Sequence, residues 1–317
     1  MTTSAPCLRG FPGKNVLPET IKVLERGWLS SNNVVLFDRP GVAMVDSGYV
    51  SHAEQTLALL EHALAGGRLS RLLNTHCHSD HMGGNAALQA RYACRTSIPA
   101  GEAALIDAWD EDALVLAFAD QRCDRFGYDD TFAPGDTLSL GGLAWQVIAA
   151  PGHDPRAVMF YSPEERILIS GDALWENGFG VVFPRLFGNE QALAEARRTL
   201  ESIAALDVRL VIPGHGRPFT EVVPALERAL GRVAAYESDV TRLARHALKV
   251  LLTFALLEKR SLPLAALPQY LDRVPIYHAI NRPFLGMSAT ELADYLVRDL
   301  ERSGVLRRES GNVVISG

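Results

Sequence analysis

The sequence predicts an α+β protein with a small, mostly helical C-terminal appendage, and three observations predict it. Short apolar runs of strand length recur through residues 33–212, segments of helical spacing follow several of them, and after residue 222 the pattern turns to helices and then a hairpin. At 317 residues the chain can bury a sizeable core, and a hydrophobic share of 48% is ordinary for a globular enzyme.

Taken in order, 33–37 and 42–45 are apolar runs separated by Asp38-Arg39-Pro40-Gly41, a hairpin signal. A helix is expected over about residues 52–66, before Gly66-Gly67. Leu72-Leu73-Asn74-Thr75 reads as the end of a buried strand, and the glycines of Met82-Gly83-Gly84-Asn85 provide a tight turn before a helical Ala-Ala-Leu-Gln-Ala. The segment 101–128, with Trp109, Phe118, Phe126 and Tyr128, reads as helical with its aromatics in the core. Residues 145–150, 167–170 and 210–212 read as buried strands. A helix over about 190–205 starts near Asn189 as N-cap and sets Leu193, Ala196, Leu200 and Ile203 at helical spacing.

The change of pattern divides the chain into residues 1–221 and 222–317. The second part opens with a helical stretch from about Val222 to Leu257. Pro263, Pro268, Pro275 and Pro283 then cut the chain into short pieces, one of them a loop with Tyr277-His278 that reads as surface. Ser288-Ala289-Thr290-Glu291 has the order of a capping box, with Ser at the N-cap and Glu three residues on. That helix runs to Gly304, and Glu309-Ser310-Gly311-Asn312 joins the strands of a closing β-hairpin.

The chemistry is concentrated in six residues, His76-Cys77-His78-Ser79-Asp80-His81. Three imidazoles and a carboxylate in one short turn, between a strand and a helix, make a metal site that stays open to substrate. Nitrogen and oxygen donors suit Zn, Fe or Mn, and the lack of paired Cys argues against a closed structural zinc site. Three more candidates share one setting, a buried strand broken by Gly or Pro-Gly: His153 after Pro151-Gly152, Asp172 after Gly171, and His215 after Pro213-Gly214. That makes seven ligands, His76, His78, Asp80, His81, His153, Asp172 and His215, which suggests two ions sharing one group.

Thr-His-Cys-His-Ser-Asp-His-Met-Gly-Gly-Asn, the two Pro-Gly-His segments and Gly-Asp resemble the motifs of the metallo-β-lactamase-fold hydrolase superfamily, over about residues 30–220. Ala43-Met44-Val45-Asp46-Ser47-Gly48 resembles its first motif. The resemblance implies a four-layer αββα sandwich. It implies one metal on His76, His78 and His153, a second on Asp80, His81 and His215, and Asp172 bridging them, with Asp46 hydrogen-bonding the ligand loop. Cys77, between two ligands, reads as packing. The superfamily includes glyoxalase II-type thioesterases, lactonases, β-lactamases, ribonucleases and iron-dependent persulfide dioxygenases. Some members carry a winged-helix appendage, which the C-terminal pattern weakly resembles.

The expected cofactors are therefore two divalent ions, zinc before iron or manganese, and the expected reaction is attack by a metal-bridging hydroxide on a small ester, thioester or lactone. Asp80 is the expected catalytic carboxylate, passing a proton from the nucleophile to the leaving group. The apolar loop after Asp172, with Trp175, Phe179 and Phe183, reads as an aromatic rim suited to an acyl group, and Trp175 as packing rather than an oxyanion donor. A ribonuclease or phosphodiesterase and a mononuclear iron persulfide dioxygenase are the alternatives.

A net charge of −6 gives no global attraction to nucleic acid, and from residue 235 onward eleven Lys/Arg face nine Asp/Glu. The appendage is expected to pack on the catalytic part, shape a wall of the site or form a homodimer interface, rather than bind DNA or RNA. No apolar run is long enough for a membrane span, and residues 1–11 do not read as a signal peptide. Cys7, Cys77, Cys94 and Cys123 show no disulfide-framework spacing, so reduced thiols and a cytoplasmic location are expected.

Overall fold

The first sheet consists of β1 (Ile21–Leu24), β2 (Asn33–Phe37), β3 (Val42–Val45), β4 (Leu69–Leu73), β5 (Arg95–Pro99) and β6 (Asp130–Phe132), in that spatial order. Strands β1 to β3 pair antiparallel and β3 to β6 parallel. The second sheet has β7 (Thr137–Leu140), β8 (Leu143–Ala149), β9 (Val158–Ser162), β10 (Ile167–Gly171) and β11 (Leu210–Pro213) in the order β11-β10-β9-β8-β7. Only β10 and β11 within it are parallel. The structure, a computed structural model, describes residues 17–38 and 41–316. Cys7, the N-terminal residues 1–11, and Arg39 and Pro40 of the expected hairpin turn lie outside the described residues.

The two-residue period of a strand decides the layering. Val34, Leu36, Val45 and Leu73 point toward the second sheet and meet Val147, Phe160, Ile167, Ile169 and Ile212. Val35, Met44 and Leu72 point the other way, onto Leu60 and Leu64 of α1 (Ala53–Leu64) and Leu88 of a helix over Asn85–Tyr92. Each fully buried Leu or Phe in these layers contributes roughly 1.5–3 kcal/mol. Trp145 is fully buried between the sheets, and its indole N–H donates to the Leu140 carbonyl at 3.0 Å. The outer face of the second sheet, with Met159, Tyr161, Leu168 and Val211, is covered by helices over Ala192–Ala204 and Val222–Ser238. The four layers are the αββα arrangement implied by the motifs.

In chain order the remaining helices are α2 (Ser79–Met82), α3 (Asn85–Tyr92), α4 (Ala103–Ala108), α5 (Ala192–Ala204), α6 (Val222–Ser238), α7 (Val240–Lys259), α8 (Leu267–Arg273), α9 (Pro275–Phe284) and α10 (Ala289–Arg302). Helix α6 follows residue 221 in the chain yet packs on the second sheet through Ala225, Leu226, Ala229 and Val233. Helices α7 to α10 and a small sheet of β12 (Ser261–Pro263), β14 (Asn312–Ile315) and β13 (Leu306–Glu309) enclose a separate core. That core also takes in Val115, Ala119 and Phe183, so the C-terminal elements hold down two segments of the sandwich.

Four local expectations need correction. The stretch 222–257 is two helices, because Asp239 leaves the helical region and its carboxylate accepts from Thr241 N at 3.0 Å and Arg242 N at 3.3 Å, capping α7. The segment 101–128 is mostly not α-helical: Trp109, Val115 and Asp120 take left-handed backbone conformations that interrupt it after α4. Asn189 precedes α5 without capping it; its side chain instead accepts from Gln191 N at 2.9 Å, closing a local turn. Tyr277-His278 lies on α9, not in a loop, with Tyr277 buried in the C-terminal core, because Pro275 stands in the first turn where its missing N–H costs nothing. The hairpin β13–β14 and the capping box of Ser288 and Glu291 form as expected. Among the described residues no helix is long and apolar enough to cross a membrane, and Cys77, Cys94 and Cys123 are free thiols.

Candidate metal centre

Strands β8 and β10 are both antiparallel to β9 and so run the same way, as does β11. Their ends deliver His153, Asp172 and His215 to one edge of the sandwich. Strand β4 ends nearby, and the loop after it carries His76 and His78 before the single turn of α2 presents Asp80 and His81. All seven side chains singled out in the sequence converge there. They form two groups that could each hold a metal ion, His76 with His78 and His153, and Asp80 with His81, Asp172 and His215; within each, the potential ligand atoms lie within 4.8 Å of one another.

The facing atoms are specific. His78 Nδ1 is 2.8 Å from His153 Nε2, and His215 Nε2 is 3.0 Å from Asp80 Oδ2. Asp172 lies between the groups, with Oδ2 3.4 Å from His153 Nε2 and Oδ1 3.3 Å from His81 Nε2. His76 Nε2 and His81 Nε2 are buried without a hydrogen-bond partner. Buried lone pairs aimed at one another cost free energy, and a cation among them removes that cost. The donor set and its orphaned nitrogens therefore fit divalent metal ions.

Polar contacts behind the imidazoles orient them. His81 Nδ1 lies 2.8 Å from Asp46 Oδ2, and His153 Nδ1 donates to the Val181 carbonyl at 2.6 Å, each leaving Nε2 to face the centre. His76 Nδ1 is 3.1 Å from Thr75 Oγ1. Asp46 also accepts from Thr75 N at 2.8 Å and Thr75 Oγ1 at 2.9 Å, while its own φ of 60° is a left-handed conformation uncommon for a residue with a Cβ. Gly214 and Gly180 allow the close approach: a Cβ on the first would fall on Asp172 Oδ1, and on the second 2.7 Å from Asp172 Cβ. Cys77 points away into an apolar cluster with Met82, Ile98 and Ile106, as packing.

Charge follows from this geometry. Burial, reinforced by the neighbouring imidazoles, holds His76 well below the ordinary histidine range and brings His78 down to about 4. Burial would also lower His81, but Asp46, Asp172 and Asp80 outweigh it and raise it well above. Burial opposes ionisation of Asp172, yet His81 and His215 hold its carboxyl well below the usual range.

The aromatic surface beside the site is not the one expected. Leu174, Phe179 and Val182 turn into the core under the second sheet and Phe183 into the C-terminal core. Trp175 alone of that loop's aromatics lies at the centre, where its indole N–H donates to Asp172 Oδ1 at 3.2 Å. It meets Trp28 edge-on at 5.4 Å, and Trp28 stacks on His215 with centroids 5.6 Å apart and planes 10° from parallel. Trp28 is 59% exposed and had no signal in the sequence, since it follows β1 far from every motif. Asp154 directly follows His153 and carries no motif signal of its own.

A sequence profile described as the metallo-beta-lactamase superfamily matches residues 26–215, three-fifths of the chain and all seven converging residues. The chain belongs to the metallo-beta-lactamase superfamily. Among relatives in this superfamily, a hydroxyacylglutathione hydrolase of Acidiphilium cryptum is 34% identical over 170 residues, covering 53% of this chain and 59% of the relative. A hydroxyacylglutathione hydrolase of Hyphomonas neptunium is 30% identical over 153 residues, covering 48% and 47%. The chain thus spans about half the length of these curated relatives. The crystal structure of a metallo-beta-lactamase family protein from Thermus thermophilus superposes with a TM-score of 0.59 at 19% identity, over 93% of this chain and 98% of the other. At that identity the likeness is one of fold.

Proposed function

We propose that the protein is a binuclear-metal hydrolase of small carboxylic thioesters, esters or lactones. In this reading His76, His78 and His153 would hold one ion and Asp80, His81 and His215 the other, with Asp172 placed to serve both. The observation that carries it is the two-sided position of Asp172, 3.4 Å from His153 on one side and 3.3 Å from His81 on the other, beside the buried Nε2 atoms of His76 and His81, which have no hydrogen-bond partner. Two such ions, when bound, supply an activated water and polarise the scissile carbonyl.

The chain's own groups do the rest. Asp80 uses Oδ2 toward His215, and its second oxygen is left to take the proton of the attacking water and return it to the departing thiolate or alkoxide. Ester or thioester plus water thereby becomes acid plus alcohol or thiol. Trp175 keeps the Asp172 carboxylate in place through its N–H, so its indole is not free to stabilise an oxyanion. Trp28 and Trp175 present an apolar wall that suits an acyl group. The thioester preference is supported by the hydroxyacylglutathione hydrolases, whose name describes a glutathione thioester.

Phosphodiester cleavage fits less well. Arg307 and Arg308, the basic pair in the hairpin, are engaged by Glu309 at 2.8 Å and Glu301 at 3.3 Å, leaving little for phosphate. Metal content by plasma mass spectrometry on protein purified without added metal or chelator is the first test, followed by kinetics on thioesters, lactones, β-lactams and bis-p-nitrophenyl phosphate. About two zinc per chain and turnover of the thioesters are expected. One iron per chain with oxygen uptake on glutathione persulfide, or turnover of the phosphodiester alone, would overturn the proposal.

A further inference from the structure

We propose that Asp154 is a positioning residue for His78, held in place by Arg156 and Glu102, and that this relay sets how tightly the His76–His78–His153 group grips its ion without affecting the other group. The inference rests on the metal-centre reading above and adds three residues to it.

The imidazoles differ on the side away from the centre. His76, His81 and His153 each have their outer nitrogen fixed, by Thr75 Oγ1, the Asp46 carboxylate and the Val181 carbonyl. His78 turns Nδ1 inward, toward His153, which leaves Nε2 outward. The anion facing that nitrogen is Asp154 Oδ2 at 3.6 Å, in ion-pair range. A carboxylate behind a ligating imidazole fixes ring orientation and tautomer and raises its strength as a donor.

Asp154 is itself over-determined. Its Oδ1 accepts from Arg156 N at 2.6 Å, and its Oδ2 is 3.5 Å from Arg156 Nη2. Arg156 Nε donates to Glu102 Oε2 at 3.0 Å, and the arginine stem lies against Gly101, where a Cβ would come within 3.0 Å of Arg156 Cγ. Glu102 closes the circuit, since its Oε1 accepts from the backbone N–H of Cys77, the residue before His78, at 3.4 Å. Asp154 and Glu102 are almost fully buried, so neither carboxylate is a solvated surface charge. The circuit His78–Asp154–Arg156–Glu102–Cys77 joins three chain segments behind one ion position; its one hydrogen bond to the other group is between backbones, His81 N to the His78 carbonyl at 3.0 Å, and none of its side-chain hydrogen bonds or ion pairs involves Asp80, His81 or His215.

The test is dialysis of zinc-loaded wild-type protein, Asp154→Asn, Asp154→Glu, Arg156→Gln and Asp46→Asn against graded chelator, with zinc per chain read at each step. In Asp154→Asn one zinc is expected to leave at 10–100-fold lower chelator strength while the other is unchanged. Asp154→Glu, which keeps the charge, recovers part of the loss, and Arg156→Gln shows a smaller shift of the same zinc. Asp46→Asn weakens the other zinc more, because Asp46 meets His81 directly and His76 only through Thr75, which identifies the two positions. Should Asp154→Asn not fold, Arg156→Gln carries the same reading with Asp154 intact. An Asp154→Asn profile equal to wild type, or one in which both zincs shift together, overturns the relay. A wild type that holds fewer than two zincs sinks the metal-centre reading itself, and the relay with it.

Discussion

The two groups of converging side chains come from loops of the same kind, yet their surroundings differ. His76, His78 and His153 are all imidazoles, and the carboxylate that belongs to them, Asp154, stands behind a ring. Asp80, His81, Asp172 and His215 bring two carboxylates into the group itself, with Asp46 as a third behind His81 and two tryptophans at its edge. The difference teaches that shared motif chemistry does not make the two positions equal. Negative charge inside the second group favours a cation directly, whereas the first relies on the basicity of its rings. The surroundings differ as well: Trp28 and Trp175 both pack against His215 of the second group.

The largest expected effect is at Asp172, which lies between the two groups. Asp172→Ala is expected to abolish turnover, a loss of at least about a thousandfold, and to bring zinc well below two per chain. Unchanged activity with two zincs retained would refute its bridging position. Next, Asp46→Asn is expected to weaken zinc at the second group by roughly 10–100-fold in chelator titrations, and the first group less, since Asp46 touches His81 directly but reaches His76 only through Thr75. Equal weakening at both would remove the asymmetry argued above.

Trp28→Ala acts on the wall rather than the ligands. For thioesters with long or aromatic acyl groups, KM is expected to rise roughly 3–20-fold with kcat within about twofold, as loss of uniform binding predicts. For an acetyl thioester the effect shrinks toward none, and a loss independent of acyl size would show that Trp28 supports His215 rather than the substrate.

The smallest effect comes from a group in neither set and separates acid unfolding from acid loss of metal. His246 on α7 stacks on Tyr236 of α6 at 5.8 Å. Burial, with Arg232 of α6 and Lys249 of α7, brings its pKa down to about 4. Between the ordinary histidine value and about 4, the unfolded chain therefore binds a proton that the folded chain refuses, so stability falls as pH falls through this window. The half-buried ring limits the loss to on the order of 1–2 kcal/mol. His246→Gln should flatten the pH 4–6.5 stability profile in denaturant titrations, with zinc bound or stripped; a profile as steep as wild type would locate the acid sensitivity elsewhere.

How much could be read in advance depended on how local each signal was. The hairpin of β2 and β3, helix α1 and the capping box at Ser288 announce themselves within a few residues, and all three formed. The helix expected over 101–128 failed because left-handed residues there are held by tertiary contacts that propensity does not see. The aromatics after Asp172 were visible, but their burial was not, because the cores that absorb Phe179 and Phe183 are built by chain on either side of the loop.

The sequence by itself determined the donor types, their order and the strand ends that carry them. Metal chemistry demands particular residues, and a chain break after a buried strand is written in a handful of neighbours. Only the tertiary structure decided which side chains stand behind and beside those donors. Arg156 reaches Glu102 across 54 residues of sequence, and Trp28 meets His215 from a segment next to β1. Such contacts require only that two surfaces be brought together, and nothing in the neighbourhood of either residue records its partner.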